Sequence, residues 1–322
     1  MVFTKKRDIG LFHVFIVFIL NWTGVYGSWE EWWTYDGISG PDYWGLLNPE
    51  WKLCSRGRRQ SPIDIEPALL LYDPALSKVH VDETKVNGTL TNTGHSVRLV
   101  LDTVGGAGVS IKGGPLSYPY SAHSLLLHYG RTDDKGSEHT LAGHAFPAEL
   151  QILGYNHHLY ENMSEAMSKT QGVIGIAVMF QISEASSPDL HLLTSQLEKI
   201  IHKGQSASVS HLSLRSLLPD TSQFMTYEGS TTVPGCHETV TWILLNRPLY
   251  ITKAEIFQLR RLMQGDEKHP KTALGNNFRP PQPLYNRSVR TNVFNHDIEN
   301  KKCLNSRKLF YKGNVGSIQW ME

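Results

Sequence analysis

GVIGIAVMFQI, Gly172 to Ile182, is apolar at nearly every position. A strand with one wet face alternates polar and apolar residues, so an unbroken run predicts a strand buried on both faces. Thr241-Trp242-Ile243-Leu244-Leu245 reads the same way. Further out, Val97, Leu99 and Leu101 alternate with Arg98 and Val100, the period of a strand with one dry face. Two helices interrupt this pattern. One starts with Ser187 as N-cap and Pro188 behind it, carries Leu190, Leu193, Leu197, Ile200 and Ile201 on one side, and meets a stop at Gly204. The other has Thr252 and Glu255 in capping-box spacing, with Ile256, Leu259 and Met263 on one face. Both stripes read as core-facing surfaces. Gly105, Gly106, Gly108, Gly113 and Gly114 lack the Gly-Lys-Ser/Thr ending of a phosphate loop and read as hairpin turns. The body is therefore mostly strands separated by turns, with no internal repeat and no long linker.

Composition limits the function. The 322 residues include 31 basic and 30 acidic side chains, a formal net charge of +1, so a general basic field for nucleic acid is absent. Hydrophobic residues make up 40 % of the chain, with eight Trp, which is enough apolar bulk for a large core. Three Cys are too few for a disulfide-dense scaffold.

The N-terminus sets the compartment. Lys5, Lys6 and Arg7 precede an apolar stretch from Ile9 to Leu20, followed by Val25-Tyr26-Gly27. This reads as a secretory signal peptide over residues 1–27, removed to leave a chain starting near Ser28. An uncleaved anchor is the rival, but about 12 apolar residues fall short of the roughly 20 that a spanning helix needs. No later segment reads as a membrane span. Asn87-Gly88-Thr89, Asn162-Met163-Ser164 and Asn286-Arg287-Ser288 are N-glycosylation acceptors consistent with an extracellular, oxidising destination. After about Phe294 the composition shifts to Asn, Lys and Asp, so residues 28–294 read as one domain and 295–322 as a C-terminal tail.

Several separated blocks together resemble the alpha-class carbonic anhydrases: Tyr35 with GPDYWGLLNPEW, RRQSPIDI (Arg58 to Ile65), NTGHS (Asn92 to Ser96), KGGPLSY (Lys112 to Tyr118), GSEHT (Gly136 to Thr140), AEL (Ala148 to Leu150), VTWILL (Val240 to Leu245) and NNFRPPQPLYNR (Asn276 to Arg287). The resemblance spans about residues 30–294 and implies a mainly β fold, a large central twisted and mostly antiparallel sheet with helices on its periphery. It also implies a zinc ion on three His at the base of a cleft, two of them at alternate positions of one strand and the third on its neighbour. Alternate positions of a strand share a face, and three imidazoles leave a fourth zinc position for a water whose pKa falls to about 7.

This sequence departs from that pattern where the metal would sit. The first strand reads Leu125-Leu126-Leu127-His128-Tyr129-Gly130 and the second Glu149-Leu150-Gln151, so the three ligand positions are Leu126, His128 and Gln151. Leu has no lone pair to donate, an amide oxygen is a poor ligand, and one good donor remains. By resemblance, Thr232 and Glu138 match the pair that orients zinc-bound hydroxide. Glu149 matches the carboxylate behind the third ligand, and Asn277 the backbone partner behind a ligand His. His95 matches the proton-shuttle position and Tyr35 a tyrosine of the solvent network. Ser124, Val233 and Thr231 replace a Gln, a Thr and a Leu common in the family. His123, His139, His144, His157, His158 and His237 occupy none of the ligand positions. The expectation is no bound zinc, no metal site and no cofactor, with these side chains persisting as satisfied core groups.

Such departures define the carbonic anhydrase-related proteins, and the secreted branch is the nearer match. That resemblance implies a catalytically silent protein that binds extracellular or cell-surface protein partners, chiefly neural, neurexins being the known example. A working carbon dioxide hydratase with an altered metal site is the alternative, and a cleft that binds a small ligand without turnover is a third. Cys54 and Cys236 match the disulfide of secreted family members, which leaves Cys303 in the tail. An odd Cys in a secreted chain points to a mixed disulfide with a partner or a homodimer, or to a thiol capped by a small metabolite.

Overall fold

The computed structural model describes residues 32–102 and 108–293. Its strands are β1 (Asp64–Ile65), β2 (Leu71–Tyr72), β3 (Val79–Val81), β4 (Lys85–Asn92), β5 (Val97–Leu101), β6 (Ser110–Gly113), β7 (Tyr120–Tyr129), β8 (Thr140–Leu141), β9 (Ala148–Tyr155), β10 (Val173–Ser183), β11 (Ser206–Ser213), β12 (Phe224–Gly229), β13 (Val240–Leu245), β14 (Leu249–Thr252) and β15 (Arg290–Thr291). The helices are short: α1 (Trp44–Leu47), α2 (Leu53–Arg56), α3 (Met163–Ala166), α4 (Pro188–Thr194), α5 (Leu214–Leu217) and α6 (Lys253–Arg260). The described residues from Thr34 to Val293 form one compact unit, and Trp32 and Trp33 fall outside it.

One large sheet organises this unit, in the order β11-β4-β5-β7-β9-β10-β13-β12-β15-β2, with β14 beside β10, β6 beside β7 and β3 beside β6. Most ladders are antiparallel, and the expected mainly β architecture with peripheral helices holds. The sheet is mixed rather than uniform, because β10 runs parallel to β13 and β14, and β15 parallel to β2. Both faces are covered. Ile174, Ile176, Val178 and Phe180 of β10 enter one apolar cluster, while Val173, Ala177 and Met179 enter the other. That two-sided burial is why the run from Gly172 shows no alternation. Gly175 sits inside it for a packing reason: a Cβ there would come within 2.6 Å of the Trp242 ring.

The helices depart from expectation at their ends. α4 begins as expected, with Ser187 Oγ accepting from the Leu190 N–H, but stops at Thr194 rather than running to Ile201. Asn92 Nδ2 donates to the carbonyls of Ile200 and Ile201, which draws that segment out of helical geometry, and only a short 3₁₀ turn at Leu197–Lys199 follows. α6 has the full capping box between Thr252 and Glu255 and buries Ile256 and Leu259. Met263 lies beyond its end in a bridge to Ala273, and Leu262 takes the buried place instead. Gly113 (φ 83°) and Gly114 (φ 57°) make the turn between β6 and β7, whereas Gly105 and Gly106 lie outside the described residues. So do the signal-peptide segment, Asn295 to Glu322 and Cys303. Among the described residues no helix is long and apolar enough to cross a membrane.

Candidate functional site

Leu126 and His128 occupy alternate positions of β7, and Gln151 and Glu149 alternate positions of β9. Antiparallel register sets Leu126 opposite Gln151 and His128 opposite Glu149, so all four side chains share one face. The residues between them, Leu125, Leu127, Leu150 and Ile152, belong to the apolar cluster on the other face. The sequence pattern thus brings the three expected ligand positions together, in a site where His128, Glu138 and Glu149 are fully buried.

His128 is fixed from behind. Its Nδ1 donates to the Asn277 carbonyl at 2.7 Å and lies 3.5 Å from Glu138 Oε1. Asn277 also clasps the end of β7: its Oδ1 accepts from the Tyr129 N–H and its Nδ2 donates to the Leu127 carbonyl. With Nδ1 committed, the other ring nitrogen, Nε2, points into the site. It is buried and meets no hydrogen-bond partner among the described residues.

Gln151 fills the opposite side. Its single amide nitrogen donates to Glu138 Oε2 at 2.7 Å and to Glu149 Oε1 at 2.9 Å, which uses both of its hydrogens. Glu149 in turn accepts from the backbone N–H groups of Glu138 and His139 and from His139 Nδ1 at 2.9 Å. Burial opposes its charge, but His139 beside it and the donors from His139 and Gln151 hold its carboxyl below the usual range. Glu138 goes the other way. Burial holds it above the usual carboxylate range against the pull of His128, and Glu149 adds to the rise, while Thr232 and the Arg279 N–H stabilise its charge.

Tyr35 places its ring edge-on to Trp44, and burial raises its hydroxyl pKa well above the ordinary value. His95 stands half-buried in the turn between β4 and β5, where its N–H meets Thr93 Oγ1. The other histidines lie on separate elements. His123 sits at the irregularity of β7 with its ring against Tyr155, and His144 is in the turn after β8. His157 and His158 stack on each other beyond β9. His139 bridges Glu149 to the Tyr227 hydroxyl, 2.7 Å away, which reaches Ser61 Oγ at 2.8 Å.

A zinc tripod needs three donors converging on one point with lone pairs free. Leu126 has none, Gln151 turns its amide nitrogen to two carboxylates and could offer only an uncharged amide oxygen, a poor zinc ligand, and of the three positions His128 Nε2 alone is a good donor. The residues present do not fit the ion. Among the described residues no three His, Cys, Asp or Glu side chains are grouped to hold a metal.

Sequence reasoning assigned no role to Arg279, yet this residue ties the site to its surroundings. Fully buried, it donates to Gln60 Oε1, the Ser61 carbonyl and the Cys54 carbonyl, while its own N–H reaches Glu138. Burial lowers its pKa to about 10, with Glu138 opposing the fall. A lone cation between Phe278 and a proline pair was the available signal. Cys54 and Cys236 form a disulfide, as the resemblance implied. Asn87, Asn162 and Asn286 are all exposed.

A family model for eukaryotic-type carbonic anhydrases matches residues 39–293. A Caenorhabditis elegans protein described as carbonic anhydrase-like protein 2 is 40 % identical over 264 residues, covering 80 % of this chain and 78 % of that protein.

Proposed function

The chain belongs to the eukaryotic-type carbonic anhydrase family, and from that premise we propose that it is a secreted member without carbon dioxide hydratase activity, working as an extracellular protein-binding module. One observation carries the reading. The Gln151 amide, bonded to both Glu138 and Glu149, stands at a ligand position as a hydrogen-bond donor, so the two buried carboxylates are paired without a cation. Zinc is absent in this account, and with it the activated water that hydration needs. His95, Glu138, Thr232 and Tyr35 are then structural groups.

The Cys54–Cys236 disulfide supports an oxidising destination. The signal peptide at residues 1–27 and glycans on Asn87, Asn162 and Asn286 belong to the same proposal. Its partner is a cell-surface protein, neurexin-like by resemblance, and Cys303 is the thiol that would join the chain covalently to that partner or to a second copy. Non-reducing gels of wild type and Cys303→Ser, which differ if the bond forms, test that part.

Stopped-flow hydration of carbon dioxide by the protein purified from culture medium tests the central reading. The expected rate equals that of buffer alone. Turnover well above buffer, abolished by a zinc chelator, would favour the altered-site hydratase instead.

A further inference from the structure

Lys52 to Arg59, KLCSRGRR, holds four cations and no acidic residue, in a chain whose overall charge is only +1. The structure turns this stretch into a surface. Arg56 follows Lys52 by one helical turn, its N–H on the Lys52 carbonyl at 3.0 Å, and both side chains are exposed. Gly57 ends α2, and Arg58 and Arg59 follow in the open. Arg58 lies 5.6 Å over the exposed ring of Tyr285, and Arg59 stands 3.8 Å from Glu238. Among the described residues Lys52, Arg56 and Arg58 have no carboxylate within ion-pair distance. At physiological salt, fields fade over about 8 Å, so a ligand meets this local cluster and not the near-neutral whole.

The platform beneath is fixed. Cys54, inside α2, is bonded to Cys236, and its carbonyl accepts from Arg279 Nη2. The cations therefore project from an immobilised turn, which lowers the ordering cost of binding. Three guanidinium groups and an ammonium on one rigid turn suit a chain of sulfates or phosphates, since guanidinium pairs two oxygens at once. The Tyr285 ring beneath Arg58 holds that guanidinium by a cation–π contact.

We propose that the surface carrying Lys52, Arg56, Arg58 and Arg59 is a docking site for a sulfated glycosaminoglycan. The choice of a sulfated polysaccharide over nucleic acid rests on the extracellular reading above.

Heparin-agarose chromatography of the full chain in a salt gradient tests it, with fully desulfated heparin as the second resin. Wild type is compared with Arg56→Gln/Arg58→Gln and with Lys112→Gln/Lys268→Gln, which removes the same charge elsewhere, and circular dichroism checks that each variant is folded. Wild type and the remote variant should stay bound to heparin at about 0.15 M salt. The Arg56/Arg58 variant should bind heparin at least about tenfold more weakly in solution titration, because two charge-assisted contacts are gone. Equal weakening by both variants, or equal retention on desulfated heparin, would overturn the site. Binding of the purified chain to either resin is independent of whether cells secrete it, and appearance of the chain in culture medium reads that separately, so failure here is distinguishable from failure of the extracellular reading.

Discussion

Leu126 and Gln151 stand directly opposite each other across the antiparallel β7–β9 ladder, and neither offers the site a free nitrogen lone pair. Their positions, together with His128, are those of a tripod whose scaffold is still in place. Leu126→His with Gln151→His should therefore bind zinc stoichiometrically and rise in Tm when the metal is added, since a completed site contributes about 10 kcal/mol or more. Either single substitution leaves two nitrogens at most and should bind far more weakly. Metal analysis after dialysis, paired with thermal shift, checks this, and a double variant that stays metal-free would refute the register.

Gln151 should matter for stability because of what it donates to. Gln151→Ala leaves Glu138 and Glu149 each short of a buried donor, and should cost about 3 kcal/mol in urea unfolding. Gln151→Glu should be worse, because it places a third carboxylate beside two fully buried ones. Little change in the alanine variant would mean that the amide bridge is not what satisfies the site.

The Cys54–Cys236 bond closes a span of 182 residues. For so long a loop the chain-entropy model sets an upper figure of about 5 kcal/mol, so Cys54→Ala/Cys236→Ala should lose about 2–5 kcal/mol. Adding reductant to a variant that also carries Cys303→Ser should then leave its unfolding stability unchanged. Arg279 would also lose part of its anchorage, because the Cys54 carbonyl it bonds would no longer be tethered.

Glu255 gives a pH dependence of known sign. Burial disfavours its charge, but donors from the Thr252 N–H and from the Ser186, Thr194 and Thr252 hydroxyls outweigh that and hold it below the ordinary 4.5. The folded pKa lies below the unfolded one, so the stability it contributes is present above about 4.5 and is lost as pH falls through the folded value. Glu255→Gln should destabilise the protein at pH 7, because it removes the charged acceptor of the capping box, and the gap from wild type should close in acid. A gap independent of pH would show that charge is not the source.

Much of this was legible in the sequence. The unbroken run from Gly172 marks the two-faced strand, the L-x-H and E-L-Q triplets pair Leu126 with His128 and Glu149 with Gln151 on one face of each strand, and the family resemblance implies that Leu126, His128 and Gln151 meet in one site. The direction of the Gln151 amide was not legible, because it depends on two carboxylates arriving from different segments. The early end of α4 depended on Asn92, more than a hundred residues away in the chain, and the role of Arg279 on three carbonyl and amide acceptors in the RRQSPIDI and Cys54 regions. Local pattern fixes which face a side chain takes; long-range hydrogen bonds decide what it does there.

Zinc content of the unmodified protein, purified without chelator and measured per chain by mass spectrometry, tests the central claim most directly. The account expects metal at trace level, unchanged after equilibration with excess zinc and dialysis. One tightly held zinc per chain, lost on His128→Ala, would contradict it.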